Sequence, residues 1–358
     1  FVNFTKFSNM MHGGWDGINI LHTASADFGD RATSTETGGL AVSGHVSPGF
    51  GSHLEGANKD NSAIQSYQHA IRIMNDPFTV GVNILAIPGI REPFVTNDAI
   101  KKVEAYGKSI YLMDIQQYDE GGIRIFDDRP SSKKPAVDKT VDLFELRGVD
   151  SNYASSYFPD VRVKDDVNFR RVRVPASVAA LSALSLNDAR AYPWFAPAGF
   201  NRASLENVTT VDSRLNASER DELYDARLNP IASFPDSGFV IFGQKTLQVK
   251  KSALDRVNVR RMVLEAKRII SSIANDFVFE PNDQQTRESF VSRVAAALTI
   301  IRAQQGVDRF AVICDETNNT DNDINNNRLN AKIVLVPTRA VEYIEVTFVI
   351  DPSGVSFA

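Results

Sequence analysis

VNILAIPGIREPFVTNDAIKKVEAYGKSIYLMDI, Val82 to Ile115, is the stretch that decides the fold. It opens on a short apolar run, VNILAIPG (Val82 to Gly89), of the kind that forms a strand buried on both faces of a parallel sheet. It closes on a second such run, SIYLMDI (Ser109 to Ile115). Between them, Thr96 to Tyr106 reads as a helix, with Thr96 or Asn97 placed to cap its first turn. Strand, helix and strand with short links make a βαβ unit, so this part is expected to be α/β with a right-handed crossover.

Working outward, Ile64, Tyr67, Ile71 and Met74 recur at helical spacing, and Asp76-Pro77 ends that helix. Everything before Asp60 is rich in Gly, Ser and Thr and reads as loops and edge strands. Downstream, residues 119–135 are polar and read as a surface excursion. PASVAALSALSLNDARA (Pro175 to Ala191) is a helix with Pro at its start and small residues for close packing. AYPWFAPAGFN (Ala191 to Asn201) holds prolines, a glycine and aromatics, so it is expected to be irregular, largely buried and the boundary of a last domain.

In that domain GFVIFG (Gly238 to Gly243) is a strand. Ser252 with Asp255 forms a capping-box-like start to a long helix reaching about Asn275. Its apolar stripe is Leu254, Val257, Met262, Ala266, Ile269, Ile270 and Ile273. A second helix, Gln284 to Gln304, has Asp283 as cap, Phe290, Val294, Leu298 and Ile301 inward, and Gly306 as stop. Strands follow at Phe310 to Cys314, Lys332 to Val336 and Tyr343 to Ile350. In the last of these, Ile344, Val346, Phe348 and Ile350 share one face. The expected fold class is α/β (α+β) and multi-domain. A β-rich segment over 1–59 precedes an α/β domain over 60–195 and a C-terminal domain over 196–358 with a mixed sheet and two long helices.

The bulk properties agree. A chain of 358 residues suits two or three domains, and 43% apolar with 23% charged residues is ordinary for a globular protein. No apolar run approaches the roughly 18 residues that span a membrane. A net charge of −5 argues against a general nucleic-acid binder. The single cysteine, Cys314, excludes an intrachain disulfide and fits a reducing cytoplasm. The chain begins at Phe1 with no signal-peptide pattern, so it reads as part of a longer protein.

Chemistry is hard to find. GFVIFGQKT (Gly238 to Thr246) approaches a phosphate-binding loop, but Gln244 separates Gly243 from Lys245 and FVIF looks like strand. Asp321, Asp323 and Asn325 imitate the start of a calcium loop, yet Asn326 stands where Gly is required and Lys332 where a bidentate Glu should sit. No nucleophile–base arrangement can be argued, and no cofactor or metal is expected. The charges are less bland. Lys245, Lys250, Lys251, Arg256, Arg260, Arg261, Lys267 and Arg268 crowd one segment against only Asp255 and Glu265, whereas Asp315 to Asn327 is acidic with no basic residue. Such separated patches suit docking between copies of one chain.

NILAIPGIREPFVTNDA (Asn83 to Ala99), RRVRVPASVAALSALSLNDARAYPWFAPAGFNR (Arg170 to Arg202), SALDRVNVRR (Ser252 to Arg261), FVFEPND (Phe277 to Asp283) and CDETNNT (Cys314 to Thr320) resemble, in this order, segments of the tail sheath proteins of contractile bacteriophages. The resemblance implies a structural protein, not an enzyme, whose copies form hexameric rings stacked helically around a tail tube and contract to drive the tube through the host envelope. Implied partners are other copies of the chain, the tail tube protein, and baseplate and tail terminator proteins, with no membrane or nucleic acid. Its place would be the virion tail, after synthesis in the bacterial cytoplasm. The family's N- and C-terminal arms add strands to neighbours' sheets. By that resemblance Tyr343, Ile344, Val346 and Phe348 belong to a linking strand, and without its N-terminal arm the chain would stay monomeric. The basic residues Lys250, Lys251, Arg256, Arg260 and Arg261 and the acids Asp321 and Asp323 are then candidates for an interface with the tube or the next subunit. Two other readings stand beside this one: the sheath of a non-phage contractile injection system, and a nucleotide-binding α/β enzyme.

Overall fold

The computed structural model describes residues 62–76, 80–91, 93–115, 137–165, 169–340 and 342. The segment before residue 60, the polar excursion at 119–135 and the strand expected at Tyr343 to Ile350 lie outside them.

The βαβ unit is present. Strands β1 (Ile84–Ala86) and β2 (Ile110–Met113) pair in parallel, with Leu85 opposite Tyr111, and helix α2 (Pro93–Tyr106) connects them. Helix α1 (Ser62–Met74) packs beside α2. Ile71 is buried as expected, but Met74 is exposed. α2 begins three residues before the expected cap, because Pro93 is preset for the first helical turn. Thr96 therefore lies inside the helix, fully buried.

Helix α3 (Val137–Leu146) leads to β3 (Ala154–Phe158), parallel to β2. An antiparallel sheet of three short strands follows, with β4 (Val161–Asp165) between β5 (Arg170–Val174) and β6 (Val208–Val211). Helix α4 (Ala176–Arg190) runs between β5 and β6, and α5 (Ala217–Asp225) follows β6. The chain then returns to the main sheet as β7 (Leu228–Phe234), parallel to β3, and closes it with the antiparallel β8 (Gly238–Ile241). The main sheet reads β1-β2-β3-β7-β8. It thus crosses the boundary expected between 195 and 196, since β7 and β8 complete what β1 began. A local change of composition marks the irregular AYPWFAPAGFN, not the end of a sheet.

The alternation of β2 shows the layering. Tyr111 and Met113 point into one core with α1, α2 and α3, while Ile110 and Leu112 point into a second with α4. Ala176, Ala179, Ala180 and Ala183 let α4 approach the sheet closely. A third core joins helix α6 (Val257–Asn275), helix α7 (Gln284–Ala303) and a two-stranded antiparallel sheet of β9 (Val307–Ile313) and β10 (Lys332–Pro337), with a short helix α8 (Asp321–Asn325) between the strands. α7 matches its sequence reading, with Asp283 accepting from the Thr286 N–H at 2.7 Å and Phe290, Val294, Leu298 and Ile301 buried.

Three details differ from expectation. Ser252 caps only a 3₁₀ turn, Ala253–Asp255, and α6 starts at Val257. Arg256 is held extended by a bridge to Lys245, which interrupts the helix. At the end of α7, Gln305 takes the left-handed conformation in place of Gly306. Gly306 is required instead by close packing, because a Cβ there would lie 2.7 Å from Ile301 Cγ2 and 3.0 Å from the Trp194 ring. Finally, AYPWFAPAGFN is irregular, but only Trp194 and Pro197 are buried, and Tyr192 and Phe200 are exposed.

One polar cluster ties the layers together. Asp114, just past β2, accepts from the N–H groups of Gly89 (2.9 Å) and Ser177 (3.0 Å) and from the Ser177 hydroxyl (2.8 Å). Asp160, just past β3, accepts from the Ala176 N–H (3.2 Å) and from Arg91 (2.8 Å). Both carboxylates thus fill the N-terminus of α4, where orphan donors and the helix dipole favour negative charge. Burial nevertheless pushes the Asp114 carboxyl above the usual range, against the opposing pull of Arg91 and its N–H donors. Arg173 reaches Asp160 at 3.8 Å and also bonds Asp212, which carries the ties into the small sheet.

Asp160→Ala should destabilise the protein by about 3–5 kcal/mol, because the Arg91 side chain, 5% exposed, would keep its charge without its partner. Denaturant unfolding of the variant checks this, and a loss below about 1 kcal/mol would contradict the cluster's role.

Candidate assembly surfaces

AYPWFAPAGFN and the residues just past β8 line one cavity of about 570 Å³, walled by Trp194, Phe195, Tyr224, Phe242, Gln244 and Asn258. Trp194 fixes one wall, donating its indole N–H to the Gln304 carbonyl at 2.8 Å. Asn258 of α6 donates to the Trp194 carbonyl at 3.2 Å. Beside the cavity, Phe200, Phe234 and Phe242 form an aromatic cluster with centroids 5.0–5.9 Å apart. Phe200 and Phe242 remain exposed.

Thr338, Arg339, Ala340 and Glu342 also line this cavity, and Glu342 forms a clamp. Glu342 accepts from Arg256 Nε (2.6 Å) and Nη2 (2.9 Å), from Gln244 Nε2 (3.1 Å) and from the Tyr224 hydroxyl (3.0 Å). The planar fork of Arg256 holds the carboxylate at both oxygens. Burial acts to raise the Glu342 pKa, but the hydrogen bonds and charge of Arg256, with help from Gln244 and Tyr224, outweigh it and leave the carboxyl below the ordinary glutamate value. Glu342 could not be singled out from the sequence, since Arg256 lies 86 residues away.

The basic segment does not form a continuous solvated face. Arg260 and Arg261 are only 3% and 6% exposed. Arg260 stacks 3.3 Å from the centre of the Tyr153 ring, and burial lowers its pKa. Arg261 binds Asp188 at 2.5 Å. Lys245 donates to the Tyr224 carbonyl, and Arg256 is held by Glu342. Lys250 and Lys251 remain exposed. The first turns of α6 are buried because the helix runs between the second core, through Val257 and Leu264, and the third, through Met262 and Ala266.

On the acidic side, Asp323 sits on α8 and closes a capping box with Thr320, accepting from its N–H at 3.0 Å and its hydroxyl at 2.6 Å. Asp321 opens the same helix, so the calcium-loop spacing is helical here. Asn319, buried, donates to the Asn330 carbonyl and accepts from the Asn330 N–H, joining the two ends of the β9–β10 connection. Among the described residues no group of three His, Cys, Asp or Glu is placed to hold a metal ion.

A nucleotide site fares no better. Gly238–Ile241 is strand β8, and Gly243 lies so close to Asn229 and Pro230 that a Cβ would meet both at 3.0 Å. Among the described residues the parallel strands add in one direction, β1, β2, β3, β7, without the reversal at which open α/β sheets bind ligands. At the N-terminus of α4, the anion position is filled by Asp114 and Asp160.

The β9–β10 sheet is the remaining surface. It has two strands, with no further strand beside either one among the described residues. Ile333 and Leu335 turn to the third core, whereas Val334 and Val336 are exposed at 43% and 39%.

If the clamp fixes Glu342 beside the cavity, Glu342→Gln should raise amide exchange of residues 338–340 and 342 at neutral pH by about tenfold or more, since charge-assisted bonds are lost. In the unchanged protein the lowered Glu342 pKa means that the clamp's contribution is fully present above the ordinary glutamate value. It is lost as pH falls through the lowered one, and protection relative to the intrinsic exchange rate at each pH should drop only there.

Comparison with known proteins completes the picture. Residues 249–351 match the phage tail sheath C-terminal domain. The chain is 37% identical over 229 residues to the tail sheath protein of Vibrio phage KVP40, covering 64% of this chain and 33% of that protein. It is 35% identical over 193 residues to the tail sheath protein of Enterobacteria phage T4, covering 54% and 29%. The chain thus spans about a third of the length of these relatives. In fold it is similar to the helical sheath of the anti-feeding prophage in its contracted state, with a TM-score of 0.61 at 21% identity over 82% of this chain and 75% of that one. A chain of the same particle's baseplate gives 0.63 at 20% identity, over 82% and 74%. By sequence the chain is similar to phage tail sheath proteins, with residues 249–351 matching their C-terminal domain, and its fold is that of the contractile sheath of the anti-feeding prophage.

Proposed function

We propose that this chain is part of a sheath subunit that polymerises around the tail tube of a contractile phage and contracts to drive the tube through a host envelope. It acts as a structural protein and not as an enzyme. The observation that carries the reading is the two-stranded β9–β10 sheet inside the matched domain. An isolated two-stranded ladder is marginal in water, and an unpaired edge is a template for another strand. Strands from neighbouring copies would complete it, joining subunits through main-chain hydrogen bonds. The alternation of Ile344, Val346, Phe348 and Ile350 suits a donated strand, and Glu342, held by Arg256, stands immediately before Tyr343.

In this reading contraction needs no cofactor. Energy resides in the difference between two packings of rigid bodies, with strand links that survive the change. The tube protein, the baseplate and the tail terminator are the further partners, and the virion tail is the place of action. Lys250 and Lys251, exposed where Arg260 and Arg261 are not, are the members of the basic segment suited to meet a partner. A phage tail is favoured over another contractile injection system because the sequence identities of 35–37% are to phage proteins.

The test is the pair Val334→Lys and Val336→Lys in the full-length protein. Both side chains are on the open face, so the fold should lose no more than about 0.5 kcal/mol. Lysine on the sheet should block strand addition. Electron microscopy should show tubes from the parent and none from the folded variant. Normal tubes from the variant would remove strand addition at this sheet, and a parent that stays a small discrete oligomer would remove the sheath reading.

A further inference from the structure

The turn between α6 and α7 carries an unusual tip. Val278 is 58% exposed and Phe279 fully exposed, with exposed Glu280 next to them. Phe279 has φ of 73°, a left-handed conformation that residues with side chains rarely adopt. The turn beneath is firm. Phe277 packs edge-on against Phe290 at 5.4 Å, Arg293 lies over Phe277, and Asn282 donates to the Arg328 carbonyl at 2.9 Å. A strained backbone on a firm base thus presents a phenyl ring to water beside a carboxylate.

The aromatic cavity has the opposite character. Its lining includes Arg202, over the Phe195 ring, Arg220, over the Phe234 ring, and the exposed Arg339. Of the two acids there, Glu342 is taken by Arg256, which leaves Asp221 as the opposing charge. The walls are Trp194, Phe195 and Phe242. Knob and cavity cannot meet within one chain. The knob precedes Gln284 at the start of α7, while the cavity reaches Gln305 just past its end. A helix of 20 residues separates them by about 30 Å.

We propose that Phe279 of one copy seats in the aromatic cavity of the next, with Glu280 facing the arginines of its lining. Different surfaces meet in this contact, so it is head-to-tail, and repeated it generates a ring or a helix and not a closed dimer. A groove walled by aromatic residues and edged by arginine is the composition of an interface hot spot. The proposal rests on the reading that the chain polymerises, but it assigns a contact separate from strand addition at β9–β10.

The experiment uses the full-length protein with Val278→Cys and Thr338→Cys in the same chain, treated with a short bis-maleimide after assembly. Both sites are exposed, and the native Cys314 is buried. A ladder of covalent dimers, trimers and higher species from the pair, absent from either single variant, is expected. Phe279→Ala should lower polymer yield at least tenfold with an unchanged melting temperature. Tubes that form without a ladder, or a Phe279→Ala protein that polymerises like the parent, would overturn the contact and leave the sheath reading standing. A parent that forms no polymer would remove both.

Discussion

The two carboxylates at the N-terminus of α4 are the constraint on which the rest of the body depends. Asp114 and Asp160 end neighbouring parallel strands, and both turn toward one helix. That geometry sets the helix on the sheet, and the alanine face of α4 then follows as the surface able to approach closely. Through Arg173 the same cluster takes hold of the small three-stranded sheet. A buried charge cluster contributes less net stability than its contact list suggests, because desolvation offsets much of its attraction. Its effect is on uniqueness of arrangement. Any slip of α4 or β4 would leave a buried charge unpaired, so the layers move together or not at all.

The same carboxylates bear on chemistry. In nucleotide-binding α/β proteins the space beyond the strand ends is where a helix N-terminus meets phosphate. Here that space holds the protein's own anions. What remains is a body whose interior is polar where it must be positioned and apolar elsewhere, with its unusual features at the surface.

How far the sequence disclosed this depended on the range of each interaction. β1, α2, β2 and α7 were readable because their signals are local: apolar runs, a cap at Asp283 and a stripe from Phe290 to Ile301. The return of β7 to β3 was not, since 69 residues separate the ends of the two strands and no short motif encodes the pairing. The basic segment misled for the same reason. Arg261 and Asp188 are 73 residues apart, and Arg260 stacks on Tyr153, so their charges looked free only because their partners were out of range. Glu342 had no mark at all, although it lines the cavity that AYPWFAPAGFN helps to build.

For the proposed sheath subunit, contacts inside the body must outlast those between bodies. α6 belongs to two cores at once, Val257 and Leu264 in one and Met262 and Ala266 in the other, and so joins the β9–β10 unit to the main sheet. The surfaces left for neighbours are of another kind: a ladder edge, a clamp of one carboxylate and an apolar tip. Each is local and anchored on rigid structure, and each can be released without disturbing a core. In the proposed sheath, a linkage of this type would store its energy in how bodies are arranged.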